Sequence, residues 1–336
     1  MKSRIASVGF ESDTPHIALS MVSSTSVDGS RPKPKSCDSQ SSCPNFESAE
    51  LGKPSKTLGD SMGLLDGKVA FVTGAARGQG RSHAVRMASE GADIIAVDIC
   101  APIATVPYDL ASSTNLAETV QQVEALDRRI VACEVDIRDL STLTEAVDRG
   151  VAELGRLDIV LANAGIFTAG RALEMPEEMW STMIDINLTG AWKTVRATAP
   201  HLVSSGRGGS IVITSSLAAL TANENMVHYS AAKAGLVGMM KVLAKELAPH
   251  LIRVNSVHPT TVATDMILND TFYQLFRPDL KSPTREDFEV AGKTLNALPI
   301  PAIESSDVTE AIMYLVADSG RYVTGSTLTI DAGGSL

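Results

Sequence analysis

The chain has 336 residues and a formal net charge of -10, with 44% hydrophobic and 20% charged residues. This length allows one large α/β domain or two small ones, and the acidic balance without a basic cluster argues against a nucleic-acid partner. No apolar run reaches the roughly 18 residues of a membrane span, and the cysteines form no CxxC pair. We therefore expect no membrane span, no metal site and a reducing, cytoplasmic location.

The N-terminal residues differ in composition from the rest of the chain. The stretch 20–61 is rich in serine, proline and charged residues and has no apolar period, so it cannot offset its ordering entropy. It lacks the apolar core of a secretion signal and the acid-free composition of a transit peptide. We predict a disordered extension over 1–61, which a start at Met62 would omit, and a single catalytic domain over 62–336.

The pattern after Lys68 is typical of a nucleotide-binding unit. An apolar run at 69–72 leads into a glycine-rich stretch at 73–80 and then a helix-like segment. Glycines in such a turn let the backbone approach a pyrophosphate at a helix N-terminus. The next strand, 92–98, ends in Asp98, where dinucleotide folds place the acid that accepts hydrogen bonds from a ribose.

Two residues give opposite indications of the cofactor. Asp98 would repel the 2′-phosphate of NADP and so favours NAD. Arg77 could instead pair with that phosphate, or it could be solvated or paired within the protein. Because the acid at the ribose penalises the phosphate directly, we predict NAD.

Two further strands follow a long connection after residue 99. The strand 129–136 ends in Asp136, and with Ile137 this acid is predicted to face the adenine edge. The strand 157–162 ends in the small-residue turn Asn163-Ala164-Gly165, which permits close approach of a nucleotide.

The second half of the chain carries the candidate catalytic residues. Tyr229 and Lys233 lie one turn apart on a predicted helix, so their side chains share a face. A nearby ammonium typically lowers a tyrosine pKa of about 10 by roughly one to three units, which favours acid–base catalysis near neutral pH. Ser216, at the end of the strand 210–216, could donate a hydrogen bond to the substrate oxygen. Asn187, within a long predicted helix over 177–204, is a candidate holder of a water that links Lys233 to solvent.

The last predicted elements are a strand at 253–259 and a strand at 326–331. Residues 260–300 between them include a polar, irregular stretch with Phe272, Tyr273 and Phe276, and we predict a substrate lid over 264–300. His258 has no partner cluster of histidines or cysteines, which favours a structural role.

At this point residues 64–336 resemble the short-chain dehydrogenase/reductase family. The residues that carry the resemblance are Thr73-Gly74-x-x-x-Gly78-x-Gly80, Asp136, Asn163-Ala164-Gly165, Asn187, Ser216, Tyr229 and Lys233. The resemblance implies an α/β fold of Rossmann type, with a doubly wound parallel seven-stranded sheet in the order 3-2-1-4-5-6-7 inside a three-layer αβα sandwich. It also implies a proton relay of Asn187, Lys233, Tyr229 and Ser216, and a homotetramer built on the helices around 177–204 and 228–250.

The motifs and the resemblance together predict a set of cofactor-binding residues. They are Gly74, Arg77, Gly78, Gln79, Gly80, Asp98, Ile99, Asp136, Ile137, Asn163, Ala164, Gly165, Tyr229, Lys233, Pro259, Val262 and Thr264.

Finer details are similar to one branch, the carveol dehydrogenase-like, mycofactocin-associated group. They are the stretch 74–83, the strand end 97–100 and the inserted loop after it. The branch implies NAD that does not exchange, a redox peptide as electron acceptor and secondary alcohols such as terpenoids as substrates. The chain departs from the family at Pro259-Thr260, where Pro-Gly is common, and this puts the path of that loop in doubt. The resemblance still implies that Val262 offers its backbone to the nicotinamide amide and Thr264 its hydroxyl to the phosphates.

The sequence thus predicts an NAD-dependent alcohol dehydrogenase with Tyr229 as the general acid–base. The alternatives are an NADPH-dependent carbonyl reductase and a non-catalytic NAD-binding regulator.

Overall fold

The computed structural model of the protein describes residues 63–336, so the prediction for 1–61 lies outside the described residues. The described part contains a seven-stranded parallel sheet in the order β3-β2-β1-β4-β5-β6-β7, which confirms the predicted fold class and strand order. Its strands are β1 (Val69–Thr73), β2 (Asp93–Asp98), β3 (Ile130–Glu134), β4 (Ile159–Ala162), β5 (Gly209–Thr214), β6 (Ile252–Pro259) and β7 (Thr327–Ile330).

Helices connect the strands. They are α1 (Gly78–Ser89), α2 (Ser113–Glu124), α3 (Leu140–Leu154), α4 (Glu177–Ile184), α5 (Ala191–Ser205), α6 (Val227–Leu247), α7 (Asp270–Phe276), α8 (Arg285–Gly292) and α9 (Ser305–Val316). A π-helical turn, Asp185–Gly190, joins α4 to α5, and short 3-10 turns lie at Leu217–Ala219, Ala248–His250 and Asp318–Gly320. No helix of residues 63–336 is long and apolar enough to cross a membrane.

The sheet is covered on both faces, which explains its continuous apolar strands. All five residues of β1 are buried. On one face Phe71 packs with apolar side chains of α3, α5 and α6, and on the other Ala70 and Val72 pack with those of α1, α2 and α9. The strand order reverses between β1 and β4, and in open α/β sheets such a reversal leaves a ligand crevice at the carboxyl ends of the strands.

The predicted helix over 177–204 is interrupted. The π-helical turn at Asp185–Gly190 divides it, and this turn directs the side chain of Asn187 into the protein, where it is 1% exposed. Asn187 bonds to the backbone of Ile166, outside its own helix. Single π-helical turns of this kind are frequent at functional sites.

The segment 260–300 is more ordered than the sequence indicated. It contains α7 and α8, whose N-termini are capped by the side chains of Asn269 and Thr284. Phe272 and Phe288 are buried together in an aromatic cluster. The prediction of a polar, irregular stretch is therefore wrong for these residues, because the aromatic spacing was read without its helical period. The action of the segment 264–300 as a lid stays a prediction.

Candidate active site

A cleft lies at the carboxyl ends of the central strands, and most of the predicted cofactor-binding residues line it. Those residues are Gly74, Arg77, Gly78, Gln79, Gly80, Asp98, Ile99, Asp136, Ile137, Asn163, Ala164, Gly165 and Thr264. The fold thus brings residues that are up to 190 positions apart in the chain together along one cleft.

The glycine-rich loop leaves room and donors for an anion. A Cβ atom on Gly80 would lie 1.9 Å from the carbonyl oxygen of Gly74, so the loop closes tightly only with glycine there. Arg77 is the N-cap of α1 but makes no capping hydrogen bond with its side chain. The first N–H groups of a helix have no partner within it, so those of α1 fit a pyrophosphate.

Asp98 is fixed at the rim of this cleft. Its carboxylate accepts the N–H of Ala76 at 3.0 Å and the N–H of Cys100 at 3.3 Å. Arg77 also lines the cleft, and its guanidinium is engaged within the protein: it pairs with Asp265 at 3.1 Å and donates to the carbonyl of Asp109. Of the alternatives for Arg77, the structure contains the intramolecular pair.

The turn after β4 is held by Thr73. The hydroxyl of Thr73 accepts the N–H of Asn163 at 2.9 Å and that of Ala164 at 3.0 Å. The amide of Asn163 in turn donates to the carbonyl of Thr73 at 3.0 Å. Sequence reasoning quoted Thr73 but gave it no role; a hydroxyl residue at the end of a wholly apolar strand was the available signal.

The candidate catalytic residues are not among those that line the cleft, but Asn187 and Lys233 lie directly behind Gly165, at what we call the inner end of the cleft. Lys233 is buried, its Nζ donates to the carbonyl of Thr214 at 2.9 Å, and burial lowers its pKa to about 8. A Cβ atom on Gly165 would lie 2.7 Å from Asn187 Oδ1 and 3.5 Å from Lys233 Nζ. The glycine at 165 therefore lets the amide and the ammonium approach the cleft together.

Asn187 is held on both sides of its amide. Its Oδ1 accepts the N–H of Ile166 at 2.9 Å, and its Nδ2 donates to the carbonyl of Ile166 at 2.8 Å. The side chain therefore fixes the backbone next to Gly165. The predicted water between Asn187 and Lys233 stays a prediction.

Tyr229 lies between Lys233 and an aromatic wall. Lys233 Nζ is 5.6 Å from the centre of the tyrosine ring, and the ring of Phe167 contacts it edge-on with centroids 5.1 Å apart. Burial raises the pKa of Tyr229, and a hydrogen bond with Ser216 opposes that rise only in part. The predicted lowering of this pKa is therefore wrong for the protein alone, because loss of hydration outweighs the stabilisation of the phenolate.

Ser216 is oriented by its neighbours. Its Oγ accepts the N–H of Ala218 at 3.1 Å, which leaves its own proton to be donated. Its carbonyl accepts a hydrogen bond from Nδ1 of His258 at 3.0 Å, and Nε2 of His258 is 2.9 Å from the hydroxyl of Ser256. Burial lowers the pKa of His258, so the ring is neutral at pH 7. His258 has the structural position that the sequence favoured.

Four predicted cofactor-binding residues are not among those that line the cleft: Tyr229, Lys233, Pro259 and Val262. Pro259 pairs with Ile330 in the sheet, and Val262 is buried and forms a bridge with Ile303. Their backbone contacts to a nicotinamide stay predictions. Sequence reasoning missed other lining residues, above all those of the insertion between β2 and α2: Ile103, Tyr108, Leu110 and Ala111. Their signal was a run of mostly apolar side chains within a long, proline-containing loop. Among residues 63–336, no group of three histidine, cysteine or acidic side chains could hold a metal ion.

Comparison with known proteins finds one family model and several relatives that match this chain. Residues 68–271 match the family model described as short chain dehydrogenase. The chain is 52% identical to (-)-trans-carveol dehydrogenase of Rhodococcus erythropolis over 82% of this chain and 100% of that protein.

Two solved structures are similar over 81% of this chain and 99% of theirs. One is carveol dehydrogenase from Mycobacterium avium in complex with NAD, at 52% identity and a TM-score of 0.80. The other is a short chain dehydrogenase from Mycobacterium paratuberculosis bound to NAD, at 45% identity and a TM-score of 0.75.

The chain therefore belongs to the short-chain dehydrogenase family, as a carveol dehydrogenase-like member. The resemblance predicted from the motifs and the assignment as an oxidoreductase acting on CH–OH groups are confirmed.

Proposed function

We propose that the chain interconverts a hydrophobic secondary alcohol and its ketone, with Tyr229 as the general acid–base. The supporting observation is the position of Tyr229, between the oriented hydroxyl of Ser216 and the buried ammonium of Lys233. Proton transfer by a positioned side chain typically contributes about 10²–10⁴ to a rate.

NAD is the cofactor of this oxidoreductase. Both similar structures described above contain NAD. The residues of this chain fit it, because Asp98 lines the cleft with a carboxylate that could accept hydrogen bonds from a ribose, and Arg77 is engaged by Asp265. Bound NAD supplies the hydride acceptor for alcohol oxidation.

The protein's own residues handle the proton. Ser216 donates a hydrogen bond to the substrate oxygen and orients it, and Tyr229 Oη takes the hydroxyl proton as negative charge develops. Lys233 stabilises the phenolate by its charge, and the carbonyl of Thr214 holds Lys233 in place. Asn187 fixes the backbone at Ile166 and thus the inner end of the cleft. The relay from Lys233 through Asn187 to solvent belongs to the same proposal.

The aromatic wall beside Tyr229 supports the proposed substrate class. Phe167 packs on Tyr229 and on Phe272, with ring centroids 5.1 Å and 5.3 Å apart. Phe272 continues the cluster to Phe288 and Phe276. An apolar wall of this kind favours an alcohol with a hydrocarbon body, such as a terpenoid, and the name of the Rhodococcus relative supports that class. The segment 264–300 acts as its lid.

The replacement Tyr229→Phe tests the role of the phenol. We expect turnover to fall at least about 100-fold while NAD stays bound, since the ring is retained and only the proton carrier is lost. Tyr322→Phe, at a tyrosine that is 87% exposed, is the matched control and should keep full activity. Substantial turnover in Tyr229→Phe would refute the role, and faster turnover with NADPH than with NADH would favour the carbonyl reductase.

We also propose that NAD exchanges slowly and that electrons leave through a redox peptide of the mycofactocin type. The support is a cover over the cleft, in which Arg77 bridges Asp109 of the insertion and Asp265 of the facing segment. Thr271 of α7 donates to the carbonyl of Pro107 at 3.3 Å, which ties the same two segments together. Mass spectrometry of small molecules released from extensively dialysed protein should find about one NAD per chain. Protein that is empty after dialysis would contradict slow exchange.

The remaining proposals concern assembly and location. Trp192 on α5 is 41% exposed and Val242 on α6 is 55% exposed, which supports a homotetramer built on these two helices. Light scattering after size exclusion would test it, and a monomer mass would refute it. The cytoplasmic location stays a prediction from the sequence.

A further inference from the structure

The insertion between β2 and α2 carries one aromatic side chain that reaches two cavities. Tyr108 lines the cofactor cleft, and it also lines a second cavity of about 390 Å³ between the insertion, α4 and α7. This volume falls within the range of roughly 300–1,000 Å³ that is usual for small-molecule sites. The ring of Tyr108 is therefore a partition between the two spaces.

Tyr108 is fixed in this position by three neighbours. Its hydroxyl accepts the N–H of Phe167 at 3.0 Å. The carbonyls on either side of it, of Pro107 and Asp109, accept hydrogen bonds from Thr271 and Arg77. Phe167, whose backbone Tyr108 holds, contacts the ring of Tyr229. The partition is thus anchored to the cofactor loop, to α7 and to the wall of the catalytic tyrosine.

The second cavity presents an apolar surface. Its lining includes Phe167, Met179, Phe272 and Leu275, and most of its polar side chains are engaged within the protein. The exception is Thr105, whose buried hydroxyl has no hydrogen-bond partner within residues 63–336 and offers one polar contact to a bound molecule. The hydroxyl of Thr168 bonds to Nε2 of His228 at 2.7 Å, that of Thr271 bonds to Pro107, and the side chain of Asn269 caps α7.

We propose that this cavity takes the hydrocarbon body of the substrate and that Tyr108 is its specificity-determining residue. The inference rests on the proposed function, since it supplies the subsite for the alcohol's carbon skeleton. A ring at 108 limits how far a substrate can extend toward the cofactor, and its hydroxyl keeps Phe167 against Tyr229. The insertion between β2 and α2 therefore determines, through Tyr108, the size of the alcohol that the enzyme accepts.

The test combines binding and kinetics in Tyr108→Ala and Tyr108→Phe. Limonene, the hydrocarbon skeleton of carveol without its oxygen, reports on the cavity by calorimetry without any reaction. We expect Tyr108→Ala to weaken limonene binding about tenfold, because the partition is lost. It should also raise kcat/KM for the two-ring alcohol 2-decalol relative to cyclohexanol at least tenfold.

The milder variant and the control keep the outcome interpretable. Tyr108→Phe should retain the size preference and lower kcat/KM for all alcohols a few fold, since only the hydrogen bond to Phe167 is removed. Tyr322→Ala should match the wild type in every assay, and all variants should be compared at equal NAD content. Unchanged limonene binding and unchanged size preference in Tyr108→Ala would overturn the proposal. A wild-type protein that oxidises no alcohol, but whose limonene binding still responds to Tyr108→Ala, would refute the proposed function and leave the cavity assignment intact.

Discussion

The two sides of the active site are built by different means. The cofactor side consists of backbone, namely the glycine-rich loop at 73–80 and the turn at 163–165, with Thr73 and Asp98 bonded to main-chain atoms. The substrate side consists of aromatic side chains from the insertion, from Phe167 and from α7 and α8. A backbone-made site tolerates few residues at each position, whereas a packed aromatic wall tolerates many of similar volume. Specificity can therefore change on one side while the cofactor site persists.

The largest expected effect is on the backbone-made side. Gly80→Ala places a methyl group where the carbonyl of Gly74 lies, so we expect NAD affinity to fall more than about 100-fold or the loop to lose its fold. Gly238→Ala in α6 is the matched control, because a Cβ there meets no atom within 4 Å and a helical alanine is favourable. The measurement is calorimetric NAD titration with circular dichroism of both variants. Wild-type NAD affinity in Gly80→Ala would contradict a backbone-made site.

A replacement within the aromatic cluster of the substrate side should lower the free energy of unfolding. Phe288 is 1% exposed and contacts three other aromatic rings, so Phe288→Ala should lower the free energy of unfolding by about 3–5 kcal/mol. Val290→Ala, on the same helix but 64% exposed, should change it by less than about 0.5 kcal/mol. Urea denaturation gives both values. Equal effects of the two replacements would mean that the cluster is not a packed unit.

The buried Lys233 should make the free energy of unfolding depend on pH. The pKa of Lys233 is lowered from 10.5 to about 8, so between these values the unfolded chain binds the proton that the folded chain has lost. Stability should therefore rise by about 2 kcal/mol from pH 8 to pH 10. Lys233→Met should remove this rise, which urea denaturation across the range would measure. The same slope in the variant would assign the rise to other groups.

The smallest expected effect concerns the choice of cofactor. Asp98→Asn keeps an acceptor for the N–H of Ala76 but removes the charge, so the preference for NAD over NADP should narrow about tenfold, or about 1.4 kcal/mol. Titration with both cofactors measures the ratio. Asp93→Asn, whose acid pairs with Arg129 at the other end of β2, should leave it unchanged. An unchanged preference for NAD over NADP in Asp98→Asn would show that the charge of Asp98 does not determine the choice of cofactor.

The same contrast explains what the sequence could predict. The strands and the glycine-rich loop were predictable because each depends on local patterns, apolar runs and glycines, that leave few alternatives. The order of the strands in the sheet was predicted only through the family resemblance. The position of Tyr108 was not, because it depends on where a long insertion folds back, and its contact with Phe167 joins residues 59 positions apart. The pKa of Tyr229 was mispredicted for a related reason. Charge proximity can be read from the spacing of Tyr229 and Lys233, but burial depends on the whole fold.

The π-helical turn at Asp185–Gly190 makes the chain unusually sensitive to its length at this place. It accommodates one residue more than an α-helix would over the same rise. Deleting a single residue there would allow a regular α-helix over the same rise, so α4 and α5 could keep their positions. Within the turn itself, however, each residue of an α-helix adds about 100° of rotation, so the side chain of Asn187 would point in a new direction and leave Ile166. A deletion that makes the helix regular would therefore release the backbone of Ile166 at the inner end of the cleft.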